Sequence, residues 1–410
     1  MAQTLKFGKG TWATKTGSSM AYNDQNGNYK PLPFNVERDS IATRVNKEGL
    51  IEVVGKDKLR IDYTDSAKGV ALLEPSRTNL VTHSDAIQSV GFNGVGTSIQ
   101  ADVTISPDGT TNADLHKENT ANGSHFMFKD FNLSSGQTYS ISVFAKSNGV
   151  NRNLRFGDGG VGWSSGFNVD FDLTNGTASS GGVIKSYGNG WYRCSVVGTT
   201  SATTSRLIVY NILNTSTSYQ GDGSSGVFLY GLQIEAGSYP TSIINTKGSA
   251  VTRLADVCNN GGNDQVINSE EGCFYFEGNL FKGDDTNNII SITDGGVNNY
   301  IYLNFQTNTN QEKVRYTVSG STQINYNFPS SETMYTNSKY AISYKTNEIK
   351  IYRNGVEIIT DTSATMLSPN TLNKIQFSFN NNDYFKGYIK DLKLYNTALT
   401  DQELAALTQV

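Results

Sequence analysis

"GVFLYGLQIEAGSYPTSIINTKGSAVTRLADV", Gly226 to Val257, is the stretch whose reading decides the fold. It reads as the last strand of a β-sandwich, ending at Gly237, followed by a fixed exit peptide rich in turn-forming residues. Upstream of it, short strands recur at a spacing of roughly ten to fifteen residues with Gly, Asn, Asp and Ser between them, as an antiparallel sandwich needs. "TYSISVFAK" (Thr138 to Lys146), "GFNVDFDLTNG" (Gly166 to Gly176) and "SRLIVYNI" (Ser205 to Ile212) are examples. In the first, Ile141, Val143 and Ala145 oppose Ser140, Ser142 and Phe144, the alternation of a strand packed on one face. In the second, Phe167, Val169, Phe171 and Leu173 alternate with Asn168, Asp170 and Asp172, so one face goes to a core and the other to solvent or ligand.

Composition agrees. Only 17% of the 410 residues are charged, and 41 Gly and 22 Tyr stand where a helical protein carries Lys and Glu. The net charge of −4 offers no basic stripe for phosphates, which argues against nucleic acid. No segment approaches a membrane span, and the start, "MAQTLKFGKGTWATKTG", holds no apolar run of signal-peptide length, so cytoplasmic synthesis is expected. Cys194, Cys258 and Cys273 form an odd, widely spaced set without zinc spacing. Buried free thiols are the default expectation, with a Cys258–Cys273 bridge as the alternative.

The expected fold is all-β: two antiparallel jelly-roll sandwiches in series with an extended N-terminal arm. Residues 1–75 read as an assembly or adaptor arm, too polar and short to hold a core, that gains stability by docking. Residues 76–257 form the first sandwich. Residues 258–271, "CNNGGNDQVINSEE", read as a linker, and 272–410 form the second sandwich. In the latter, "EIKIYRNGVEII" is a hairpin whose Asn354-Gly355 pair suits a type I′ turn. Thr400 and Glu403 have capping-box spacing ahead of Leu404 and Leu407 in a short terminal helix.

The acidic residues show no E-x-D-x-x-E string of the kind a retaining glucanase needs, and Asp170, Asp172, Glu270, Glu271 and Glu277 read as solvated or strand-edge charge. The three His lack a nucleophile elbow or a metal-binding helix to serve. No catalytic residue is assigned. Sugar recognition asks for flat aromatic faces with amides and carboxylates around them. Trp163, in the Gly-rich "GDGGVGWSSG", is the leading candidate for an exposed platform, followed by Tyr300, Tyr302, Tyr326 and Tyr384 in the second sandwich. Trp191 reads as core.

Two resemblances join these readings. The C-terminal residues, through "YKTNEIKIYRNGVEI" and "GYIKDLKLYNTALTDQELAAL", resemble laminin-G-like, concanavalin-A-like jelly rolls. Residues 38–257, through "RVNKEGLIEVV", "RIDYT", "LLEPSRTNL", "SPDGTTNADLHKE", "GNGWYRCSV", "GDGSSGVFLYGLQIEAGSYPTSII" and "GSAVTRLADV", resemble carbohydrate-binding-like modules of phage tail-fibre, head-fibre and spike proteins. The resemblance implies a virion appendage, assembled in the host cytoplasm and exposed on the particle, that attaches to host surface glycans without catalysis. It implies a homo-oligomer, expected as a trimer, joined to other virion proteins through the N-terminal arm. It also raises a Ca²⁺ near the rim of the second sandwich, for which Asp284, Asp285 and Asp383 are the candidate ligands. The competing readings are a purely structural decoration or connector protein, and a glycan depolymerase with an unrecognised site.

Overall fold

The computed structural model describes residues 3–12, 22–23, 28–29, 34–164, 166–283, 287–380 and 382–410. It is built almost wholly from antiparallel strands, with one α-helix, Asp401–Thr408, among the described residues. The chain divides into two units: Ala42–Val53 with Ser76–Arg253, and Met1–Ile41 with Val54–Pro75 and Leu254–Val410.

The first unit is a sandwich of a six-stranded and a seven-stranded sheet. The six-stranded order is Thr97–Ile105, Thr111–Glu118, Gly226–Ala236, Thr138–Asn148, Tyr192–Thr199, Gly182–Ser186. The seven-stranded sheet runs Asn93–Val95, Asn122–Asn132, Thr204–Leu213, Arg152–Gly157, Asn168–Asp172, Thr177–Ala178, with Ser218–Gln220 beside Asn122–Asn132. Period-two alternation sends Ile141, Val143, Leu229 and Val196 from one sheet, and Met127, Leu154, Phe156, Val169, Phe171 and Val209 from the other, into one core. Asn168 is exposed and Asp170 and Asp172 half-buried on the outward face, as the sequence suggests. Strand Thr138–Asn148 departs from expectation, because both of its faces are buried. Val45 and Ile51 of the 42–53 hairpin and Ile243 of the exit peptide pack on its outward Phe144.

The exit peptide is fixed by buried polar bonds. Gly231, at φ +67, bulges its strand, and a Cβ there would lie 2.3 Å from Ile243 Cδ1. Beyond the bulge Gln233 and Glu235 are fully buried: the Gln233 side-chain Oε1 accepts from the Ile244 amide, and the Glu235 carboxylate accepts from the Thr241 amide and hydroxyl. Asn79 donates to the Leu232 and Ile244 carbonyls and accepts from the Val81 and Ile234 amides, spending its whole side chain.

The second unit packs a five-stranded sheet on an eight-stranded one. The eight-stranded order is Val356–Asp361, Glu348–Arg353, Ser338–Lys345, Gly272–Leu280, Gly387–Tyr395, Val70–Leu73, Arg60–Asp62, with Gln3–Gly8 also pairing with Gly387–Tyr395. The 354–355 turn has φ +50 and +84, and the helix carries the Thr400/Glu403 capping box. The partition of the chain differs from expectation. Residues 1–75 are not a separate arm: Leu5, Phe7, Phe34, Ala71 and Leu73 are core residues of this unit, while 42–53 belongs to the other. The 258–271 segment is no linker either, because Cys258, Val266 and Ile267 are buried in the same core and Val257–Asn259 pairs with Asn35–Glu37. All three thiols are buried and free, so the Cys258–Cys273 alternative falls.

Arg60, Glu74 and Asp256 of the resemblance motifs meet Arg38 inside this unit. Arg38, Arg60, Glu74 and Asp256 are all at most 3% exposed. Asp256 takes an Arg38 hydrogen bond at 2.7 Å, pairs with Arg60 and accepts from the Glu74 amide at 2.9 Å, while Arg60 reaches Glu74 at 2.6 Å. Arg38 also donates to the Ser40, Gly55 and Lys58 carbonyls. This shared network satisfies charges that would be costly to bury singly.

Candidate functional site

The register of the seven-stranded sheet assembles an outward face with three rows. Val95, Phe126, Tyr210, Arg155 and Asp170 lie opposite one another across five strands. Asn93, Phe128, Ile208, Gly157 and Asn168 form the next row, and Asp130 faces Arg206 in the third. The inward alternates, Met127, Val209, Leu154 and Phe171, anchor these strands in the core, so the outward side chains stand on a rigid support.

Tyr210 is the centre of the face. Its ring edge would be 3.1 Å from a Cβ at Gly157, so the missing side chain gives the ring room to come close to that strand. Phe126 packs beside it with centroids 5.0 Å apart, and Phe126 is 6.3 Å from Phe128. All three rings are half-buried. The Arg206 guanidinium lies 4.7 Å over Phe128 and forks onto Asp130 at 2.7 and 2.9 Å. Arg155 makes the same two-pronged pairing with Asp170. The Arg206 hydrogen bond holds the Asp130 carboxyl below its ordinary range, and Asp170 raises Arg155. Each arginine thus has its charge matched.

A groove of about 390 Å³ continues from Asp170, lined by polar residues that include Asn151, Asp172, Asn175, Ser179 and Asn214. Asp172 is committed locally, accepting from the Thr174 and Asn175 amides and the Asn175 side chain. The exposed amides and hydroxyls of Asn151, Thr174, Thr177 and Asn214 edge the groove. Aromatic rings and a groove lined by amides, hydroxyls and carboxylates therefore adjoin on one sheet face.

The residues expected from sequence fall elsewhere. Trp163 is half-buried, its indole N–H donates to the Arg206 carbonyl at 2.8 Å, and its ring packs edge-on against Phe167, so it presents no open platform. Tyr300 and Tyr302 do point outward and stack at 5.2 Å, but Phe379 lies against both and Arg315 over Tyr300, leaving them 3% and 7% exposed. Tyr326 packs on the core side against Phe328. Tyr384 is half-buried and bridges to Ile289. Trp191 is core, as expected, donating to the Ile105 carbonyl beside a cleft of about 260 Å³. Asp284 and Asp285 lie outside the described residues. Among the described residues no three His, Cys, Asp or Glu side chains converge on a cation position, Asp383 included. Phe126, Phe128 and Tyr210 were missed, although "HFMFKDF" carries the signal: aromatic residues at 126 and 128 alternating with the core residue Met127.

The family model of the concanavalin A-like lectin/glucanases superfamily matches residues 274–405, so this part of the chain is similar to domains of that type. Among solved structures, the CBM40 of Ruminococcus gnavus IT-sialidase aligns at 18% identity over 37% of this chain and 93% of its own, with a TM-score of 0.29. Domain 4 of AbnA, a GH43 extracellular arabinanase from Geobacillus stearothermophilus solved with arabinotriose, aligns at 18% identity over 42% and 83%, with a TM-score of 0.30. Domains LG4-5 of the mouse laminin alpha1 chain align at 10% identity over 68% and 90%, with a TM-score of 0.25. No curated protein matches the chain. At these TM-scores the likenesses say nothing of a ligand.

Proposed function

We propose that this protein is a non-catalytic glycan-binding component of a phage virion appendage, holding the particle to host surface sugars. The observation that carries the glycan reading is the Tyr210 face: a ring whose edge passes close over Gly157, in a row with Phe126 and near Phe128, beside a groove of amides and hydroxyls. Because both arginines of the face are neutralised by bidentate carboxylates, it suits neutral, hydroxyl-rich sugars over acidic ones. The phage reading is supported by the motif resemblance over residues 38–257.

A binding role without bond cleavage is supported by the state of the acids. Glu277 and Asp391 face each other across neighbouring strands, but they are 6% and 0% exposed and paired with Lys9 and Lys393, so no glycosidic bond fits between them. We place the protein on the particle surface as a trimer, in which repeated weak contacts add avidity. Gln3–Gly8 is already hydrogen-bonded to Gly387–Tyr395, so other virion proteins would meet folded surface and not this strand.

The test is a glycan array with the wild type and Tyr210→Ala, followed by adsorption blocking with soluble protein. Binding to neutral glycans that Tyr210→Ala removes, with blocked adsorption, supports the reading. Binding to no glycan and no competition with phage would leave a structural connector, and release of reducing ends from host polysaccharide would make it a depolymerase.

A further inference from the structure

Glu277 and Asp391 have a third partner. Lys9 follows Gly8, the residue paired with Asp391, just as Glu277 is paired with Asp391 from the opposite side, so the three groups share one line across the sheet. Gly8 makes this approach possible: a Cβ there would be 2.4 Å from the Asp391 Cα and 2.5 Å from the Lys390 carbonyl oxygen. Lys9 is held at φ +48, a left-handed conformation disfavoured for lysine, by the hydrogen bond its backbone N–H donates to the Lys390 carbonyl at 3.0 Å. Its Nζ lies 2.8 Å from Glu277 Oε2 and 3.5 Å from Asp391 Oδ2. The Tyr275 hydroxyl donates to Glu277 at 3.0 Å and Asn337 donates to its other oxygen at 3.2 Å.

Asp391 is the unexplained member. Its side chain is fully buried, and although Lys393 Nζ is 3.0 Å from Oδ2, neither oxygen receives a well-directed hydrogen bond. A buried carboxylate left in that condition is costly, and an ion pair only partly offsets the loss of water. Joining it to the amine of Lys9, whose side chain is 38% exposed, would remove the charge of the buried carboxylate. The amine is also held 3.5 Å from a carboxyl oxygen on a rigid sheet, a placement that raises the effective concentration of one group at the other.

We propose that the chain cross-links itself through an amide bond between Lys9 Nζ and Asp391 Cγ, with Glu277 as the proton carrier. The resting pair is ammonium and carboxylate, so the transfer is a rare uphill excursion that sets a slow rate: in it Glu277 takes a proton from Lys9 across their 2.8 Å contact, and the freed lone pair attacks Cγ. One carboxyl oxygen leaves as water, carrying the proton returned by Glu277 and a second proton from the nitrogen. The Lys393 ammonium faces the oxygen on which negative charge gathers. Overall, –NH₃⁺ and –COO⁻ become –CO–NH– and H₂O, with no other reactant. The bond would tie strand Gln3–Gly8 covalently to Gly387–Tyr395, and it does not depend on the glycan reading.

Intact mass spectrometry of the purified full chain decides it. The expected mass is about 18 Da, one water, below that of the sequence, with a peptide map joining Lys9 to Asp391. Lys9→Arg keeps the charge and should come at full mass, and Glu277→Gln should slow or abolish the loss. Asp391→Asn should still cross-link, now losing ammonia, about 17 Da. Wild-type protein at full mass after prolonged incubation, or a cross-link mapped to Lys393, overturns the proposal. Should a variant fail to fold, the wild-type mass and map still decide.

Discussion

His116 should make this protein acid-sensitive in a calculable way. It lies on strand Thr111–Glu118 with no exposed surface, and neither ring nitrogen has a hydrogen-bond partner. Burial, with a smaller contribution from His125, holds its pKa down at about 3. The folded-state value is thus depressed: the folded protein keeps the ring neutral while the unfolded chain takes up a proton below about pH 6.5. The stability is fully present above that pH and lost as pH falls, at about 1.4 kcal/mol per unit, until about pH 3. Between pH 6.5 and 4.5 the loss is about 2 kcal/mol, a large part of a typical folding free energy. The assay is urea unfolding of wild type and His116→Leu across that range. Other titrating groups act in both proteins, so the difference in stability isolates His116 and should change by about 2 kcal/mol. Parallel pH profiles would refute the reasoning, and would mean that the ring finds a partner or water when charged.

Three further outcomes are expected. Asp256→Ala leaves the buried Arg38 and Arg60 without a shared acceptor and should cost about 3–5 kcal/mol, read by calorimetry and by faster hydrogen exchange in Arg60–Asp62 and Val70–Leu73; a melting temperature within about 2 °C of wild type would contradict it. Tyr210→Ala should weaken neutral-glycan binding by about tenfold or more, and Gly157→Ala should also weaken it by lifting the ring, with little change in the melting temperature. Chelation with EDTA should leave that binding unchanged in titration calorimetry, because the carboxylates of the face are spent on Arg155 and Arg206; chelator-dependent loss would place a cation there.

How much was legible followed the range of the interaction. The Asn354-Gly355 turn, the Thr400/Glu403 cap and the alternation from Phe167 to Leu173 are short-range patterns, and each formed as expected. Trp163 misled because a Gly-rich neighbourhood says nothing of the Arg206 carbonyl that its indole meets 43 residues away. Tyr300 and Tyr302 had the right sheet face, but Phe379, distant in the chain, covers them.

The amino-acid sequence by itself determined the all-strand class, the turns, and which alternate residues of a strand turn inward, since backbone sterics and side-chain period act over a few residues. Only the tertiary structure decided that the N-terminal strands complete the second sandwich, that the scattered Arg38, Arg60, Glu74 and Asp256 are one buried network, and that Phe126, Tyr210 and Arg155 form one row. Those facts rest on pairings between segments tens to hundreds of residues apart. Their partners are selected by burial and charge in the folded chain, and no local pattern records them.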